Sequence, residues 1–81
     1  MEAMQLIHAA VKAVDASKAS KLAALTGKTE IRELGMDSVA TMEMVAYVED
    51  ALKTQFADEV LVQVNTFGDL QALIEKAQAS K

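Results

Sequence analysis

Asp37 and Ser38 stand side by side two residues after Gly35, at the head of a long helical pattern. A glycine turn followed by an acid and a serine sets a hydroxyl at the mouth of a helix, exposed to solvent. Unpaired N–H groups and partial positive charge at such a mouth favour a phosphate group attached there. The plainer reading of the same residues is a cap, with Asp37 or Ser38 accepting a hydrogen bond from the first helical turn. Little else in the chain is equipped for chemistry. Serine nucleophiles need a base within hydrogen-bond reach, and the single imidazole, His8, is separated from Ser38 by the whole connecting segment. There is no cysteine, so thiol catalysis, thiolate zinc sites and disulfides are excluded together. Glu49 and Asp50 are consecutive, and consecutive helical residues point in different directions. No Gly-rich phosphate loop, Walker lysine motif or HExxH occurs. The inventory excludes a self-contained enzyme.

The elements that must position Ser38 follow from periodicity. Ile7, Ala10, Val11 and Val14 fall at i, i+3, i+4, i+7 and predict a first helix over Glu2 to Asp15. His8 lies beside that face and reads as a solvated bystander. From Ala16 to Asp37 the period breaks, with Ser17, Ser20, Thr26, Gly27 and Thr29 as turn formers, although Lys18 to Leu25 can hold a helical turn or two. So long a connection needs anchors in so small a domain, and Leu22, Leu25, Ile31 and Leu34 supply them.

A second helix is predicted over Ser38 to Leu52. At about 100° per residue, Thr41, Met44, Val45, Val48, Ala51 and Leu52 form a core arc. Val39, Met42 and Ala46 form a second apolar stripe flanked by Glu43, Glu49 and Asp50. Burying three carboxylates is costly, so the stripe reads as an exposed, acid-rimmed patch of the kind that meets a partner; the alternative is a stripe covered by the long loop. A short mixed stretch follows, with Phe56, Val60, Leu61 and Val64. Thr66 and Asp69 then form a capping-box-like start for a last helix carrying Leu70, Leu73, Ile74 and Ala77.

The predicted fold is all-α: a small four-helix bundle of three longer helices and one short one, with a long first loop. Its 81 residues make a single domain, 1–81, below the usual size of about 100–150. Hydrophobic residues reach 52%, proline is absent and only three glycines occur. Twelve acids against eight bases give a net charge of −4, which argues against nucleic acid and favours basic partners. Apolar runs are far too short for a membrane span, and the expected location is the cytoplasm, as a monomer.

Leu34-Gly35-Met36-Asp37-Ser38-Val39 resembles the Leu-Gly-x-Asp-Ser-Leu signature of acyl carrier proteins. Thr29-Glu30-Ile31 is similar to the approach to that signature, and Thr66-Phe67-Gly68-Asp69-Leu70 to the start of the family's last helix. Length, acidity and helix order agree, so the resemblance covers nearly the whole chain. It implies a freestanding carrier with no reaction of its own, an expectation that Met1 and the single domain favour. A phosphopantetheinyl transferase, using coenzyme A and magnesium, would attach 4′-phosphopantetheine to Ser38, with Asp37 orienting the transferase and its metal. An acyl-loading ligase or acyltransferase, and ketosynthase-type or other acyl-processing enzymes, would be the further partners. Docking falls to Val39, Met42, Glu43, Ala46, Glu49 and Asp50. Met44, Val48, Leu52, Phe56 and Leu61 become candidates for an acyl pocket; as bare sequence they are core residues. The other class of function is a non-catalytic helical adaptor in which Ser38 is only a cap.

The departures bear on cargo. Val39 stands where the signature has leucine, and residues 57–64 contribute only Asp58 and Glu59 as acids. Acid-poor helices of this kind resemble carriers dedicated to polyketides, nonribosomal products or specialised lipids more than general fatty-acid carriers. Peptidyl carriers usually show Gly-Gly-x-Ser where this chain has Gly35-Met36-Asp37-Ser38, so Met36-Asp37 favours the acyl type.

Overall fold

Helix α1 (Ala3–Val14) buries Ala3, Leu6, Ile7, Ala10 and Val11, a stripe at helical spacing, in the computed structural model, which describes residues 2–79. Each large aliphatic side chain removed from water in this way contributes about 1.5–3 kcal/mol before ordering costs. Val14 is half-buried at the edge of the core. α1 packs on α2 (Ser38–Leu52) and on the segment that follows α1, and less extensively on α4 (Phe67–Ala79). Three neighbours around one helix cover more than its apolar stripe. His8 is therefore half-buried rather than solvated, and its Nε2 is buried with no hydrogen-bond partner among the described residues.

The connection between α1 and α2 is more regular than its composition suggests. Residues Ala16–Ala24 wind as a 3₁₀ helix, and Ile31–Leu34 as a single 3₁₀ turn. Asp15 starts the first: its Oδ1 accepts from the Ser17 hydroxyl at 2.6 Å and from the Ser17 N–H at 3.0 Å. Those bonds hold the Asp15 carboxyl below its ordinary pKa. Leu22, Ile31 and Leu34 are buried and Leu25 half-buried, so the four expected anchors do hold the crossover; Met36 is a fifth. Nine residues is long for a 3₁₀ helix, and here a cap at the start and one buried leucine fix it.

The crossover is then fastened to the start of α4 by backbone alone. Phe67 N–H donates to Thr29 O, Ile31 N–H to Asn65 O and Gly68 N–H to Gly27 O, each at 2.9 Å. Glycine is required at 68, because a Cβ there would lie 2.6 Å from the Gly27 carbonyl oxygen. The predicted capping box is present: Asp69 N–H donates to Thr66 Oγ1, and Asp69 Oδ2 accepts from the N–H groups of Thr66 and Asn65. These backbone donors lower the Asp69 pKa. Phe67, Leu70 and Ile74 are fully buried, and Leu73 and Ala77 sit half-buried at the margin.

Of the arc predicted for α2, Met44, Val45, Val48 and Leu52 are buried, Thr41 is half-buried, and Ala51, at the arc's edge, is exposed. Helix α3 is one turn, Asp58–Leu61, with no buried residue. Phe56 and Val64, on either side of that turn, pack against the core. The architecture is all-α, three longer helices and one short one, as predicted. No helix among the described residues is long and apolar enough to cross a membrane.

Candidate functional site

Gly35 makes the turn that presents Ser38. It adopts φ 82°, a left-handed conformation that other residues enter only with strain, and its N–H donates to Arg32 O at 3.0 Å. Met36, next in the chain, is buried and pins the turn to the core. The chain then emerges: Asp37 and Ser38 are both exposed. Asp37 is the N-cap of α2, its Oδ1 accepting from Ala40 N–H at 2.8 Å. Ser38 is the first helical residue, and its hydroxyl takes no part in the cap. The cap that the sequence left open between two residues is thus Asp37 alone, and nothing among the described residues occupies the serine hydroxyl.

Apart from the Asp37 cap itself, the first turn of α2 carries no acid. Beside the hydroxyl lies a cleft of about 430 Å³. Ile31, Met42 and Val64 give it apolar walls, while Arg32, Thr41 and Asn65 bring polar groups. For a phosphodiester with a dimethyl-bearing, amide-containing arm the cleft offers one cation, Arg32, apolar wall for methyls, and hydroxyl and amide for peptide-like groups, with the carboxylates of Glu30 and Asp37 also on its lining. Residue types alone do not reveal Arg32, Asn65 and Thr41 as neighbours of Ser38. Thr41 belongs to the core arc by periodicity, and Asn65 arrives through the backbone zip between residues 27–31 and 65–68. The one available signal for Arg32 is its place in the turn just ahead of Gly35.

The acid-rimmed stripe is open. Val39 is 66% and Met42 60% exposed, and Ala46, Glu43 and Asp50 are exposed as well. The crossover does not cover them, which removes the alternative of a buried stripe. The six residues do not form one concavity. Met42 borders the Ser38 cleft, whereas Glu43, Ala46, Glu49 and Asp50 line a shallow groove of about 1090 Å³ that they share with Ala13, Val14 and Tyr47. Glu49 differs from the other two acids: it is half-buried, and its Oε2 accepts from Phe56 N–H at 2.7 Å, tying the α2–α3 loop to the helix.

The five acyl-pocket candidates are dispersed by depth. Met44 and Val48 are fully buried and Leu52 nearly so; Phe56 and Leu61 are half-buried in and beyond the loop. None of the five lines the Ser38 cleft.

Residues 16–74 match the family model described as phosphopantetheine attachment site. The chain is 38% identical over 66 residues to an acyl carrier protein of Sinorhizobium fredii, covering 82% of this chain and 78% of that one. The same figures hold for acyl carrier protein AcpP of Rhizobium meliloti. It is also 25% identical over 76 residues to the non-reducing polyketide synthase cla3 of Cladosporium cladosporioides, covering 94% of this chain and 4% of that protein. No solved structure matches at a significant level.

Proposed function

The chain belongs to the acyl carrier protein family, and from that premise we propose that it carries acyl intermediates on an arm attached to Ser38 and presents them to separate enzymes of a fatty-acid, polyketide or specialised lipid pathway. Members of this family are carriers rather than catalysts, and their covalent cofactor is 4′-phosphopantetheine. The cofactor supplies a terminal thiol, on which an acyl group is held as a thioester; the chain itself has no cysteine.

The carrying observation is that the Ser38 hydroxyl is exposed and unengaged while Asp37 does the capping. Attachment needs an oxygen that a transferase can reach. During attachment the Ser38 oxygen forms a bond to phosphorus as its proton leaves. The pyrophosphate bond of coenzyme A breaks, with adenosine 3′,5′-bisphosphate as leaving group. Asp37 caps the helix mouth, and its exposed carboxylate, next in the chain to the serine, would help orient the transferase and its metal. A lone cap serine, as the adaptor reading requires, finds no support, because Ser38 is not the cap.

Partner enzymes read α2 through Val39, Met42 and Ala46, with Glu43 and Asp50 offering charge to basic surfaces. Pairs at an exposed rim are individually weak and act mainly on encounter rate and orientation. The test is incubation with coenzyme A, magnesium and a promiscuous phosphopantetheinyl transferase, read by intact mass. The wild-type chain gains one arm and Ser38→Ala gains none. A wild type that stays at its apo mass, or a Ser38→Ala variant that is modified, overturns the reading.

A further inference from the structure

We propose that Arg32 is the phosphate partner in the Ser38 cleft, exchanging its ion pair with Glu30 for the phosphodiester once the arm is attached; this rests on Ser38 being the attachment residue. Arg32 lines the same cleft as Ser38. Its Nη2 lies 3.1 Å from Glu30 Oε1 and 3.4 Å from Oε2, and its side chain is 82% exposed. A pair so open to water is weakly held and readily exchanged. The backbone beneath it is not free to move. Ile31 N–H is bonded to Asn65 O, Glu30 pairs with Thr66 across the crossover, and Gly35 N–H closes the turn on Arg32 O. Arg32 is therefore a mobile fork on a fixed base, at the edge of the cavity where a diester monoanion would sit.

Among the ionisable groups of the cleft only one can attract an added anion. Glu30, Asp37 and Arg32 are its ionisable lining residues, two anions and one cation. Asp37 already spends one oxygen on Ala40 N–H. Attachment of a diester adds a further negative charge within reach of a guanidinium whose planar donors match phosphate bidentately. Tethering at Ser38 raises the local concentration of that anion far above any free phosphate. Glu30, its side chain 36% exposed, keeps contact with water when the pair opens. The exchange holds the near end of the arm against Ile31, Met42 and Val64 and switches the turn ahead of Gly35 between two ionic states.

Lys18 supplies the internal control. Its Nζ reaches over the same turn, 3.0 Å from where a Cβ on Gly35 would stand, but Lys18 does not line the cleft. Apo and holo forms of the wild type, Arg32→Gln and Lys18→Gln are prepared, and intact mass together with Ser38→Ala establishes attachment. In the wild type the Arg32 side-chain Nε–H resonance shifts from apo to holo and its exchange with water slows severalfold. The holo ³¹P resonance moves with added sodium chloride in the wild type and in Lys18→Gln, but is salt-insensitive in Arg32→Gln. With attachment demonstrated, an Arg32 signal identical in apo and holo, or a ³¹P response lost in Lys18→Gln and kept in Arg32→Gln, overturns the assignment while leaving the carrier reading intact. A chain that cannot be modified at Ser38 removes both.

Discussion

The two ends of α2 are built by opposite means. At its start, a glycine takes the left-handed turn and an aspartate caps the first N–H groups, so each residue does what its chemistry favours. At its end, Lys53 takes the left-handed position with φ 56°. Its N–H donates to Asp50 O, and Thr54 N–H reaches back to Glu49 O at 3.0 Å, a Schellman closure with lysine where glycine is usual. A non-glycine residue there carries strain of about 1 kcal/mol or more. The loop beyond is retained by one carboxylate, Glu49, clasping Phe56 N–H. The end that presents Ser38 is preorganised; the end that leads to α3 is held shut against a local preference.

The contrast can be broken most severely at Glu49. Glu49→Ala strips the acceptor from a part-buried N–H and is expected to lower unfolding free energy by about 2 kcal/mol. Asp50→Ala, one residue on and exposed, should shift it by no more than about 0.5 kcal/mol. Chemical denaturation of both variants checks this. Equal small effects would show that the clasp contributes nothing. Charge reversal at Glu49 consequently mixes docking with stability, and Glu43 and Asp50 are the cleaner positions for probing partner binding.

Gly35→Ala tests the other end. Forcing a Cβ into φ 82° is expected to cost about 1–2 kcal/mol, and it also displaces the Lys18 tip. Because the strain falls on the turn before Ser38, the modification rate should drop as well. A variant with wild-type midpoint and wild-type rate would mean that the turn is not under conformational constraint.

The smallest effect is a gain. Lys53→Gly relieves the left-handed strain but loosens the unfolded chain, for a net stabilisation of about 0.5 kcal/mol. Amide exchange in residues 53–57 should slow. A loss of stability would show that the lysine side chain, rather than its backbone, holds the loop.

The start of α2 is legible in the sequence because its devices are local: Gly35 and Asp37 act on neighbours three residues away, as do Thr66 and Asp69. The exposed stripe was legible too, since a helix face follows from period alone. What was not legible depends on residues brought together from afar. Glu49 looks like any other rim carboxylate until the chain turns back and offers it Phe56 N–H. Lys53 shows no left-handed preference in its type. His8 reads as solvated from the period of one helix, and its burial comes from the three neighbours that pack around that helix. Arg32 and Asn65 meet at the Ser38 cleft only because the crossover lies against the start of α4.

The seam between Gly27 and Gly68 has an implication for how this scaffold can diverge. The three atoms nearest a Cβ at residue 68 are all backbone atoms of residue 27, its carbonyl oxygen foremost, while a Cβ at 27 would meet only ordinary contact distances. No change of side chain at 27 can make room, so a substitution at 68 admits no compensating partner there. Position 27 has room for a Cβ and position 68 has none, an asymmetry between two identical residues that touch.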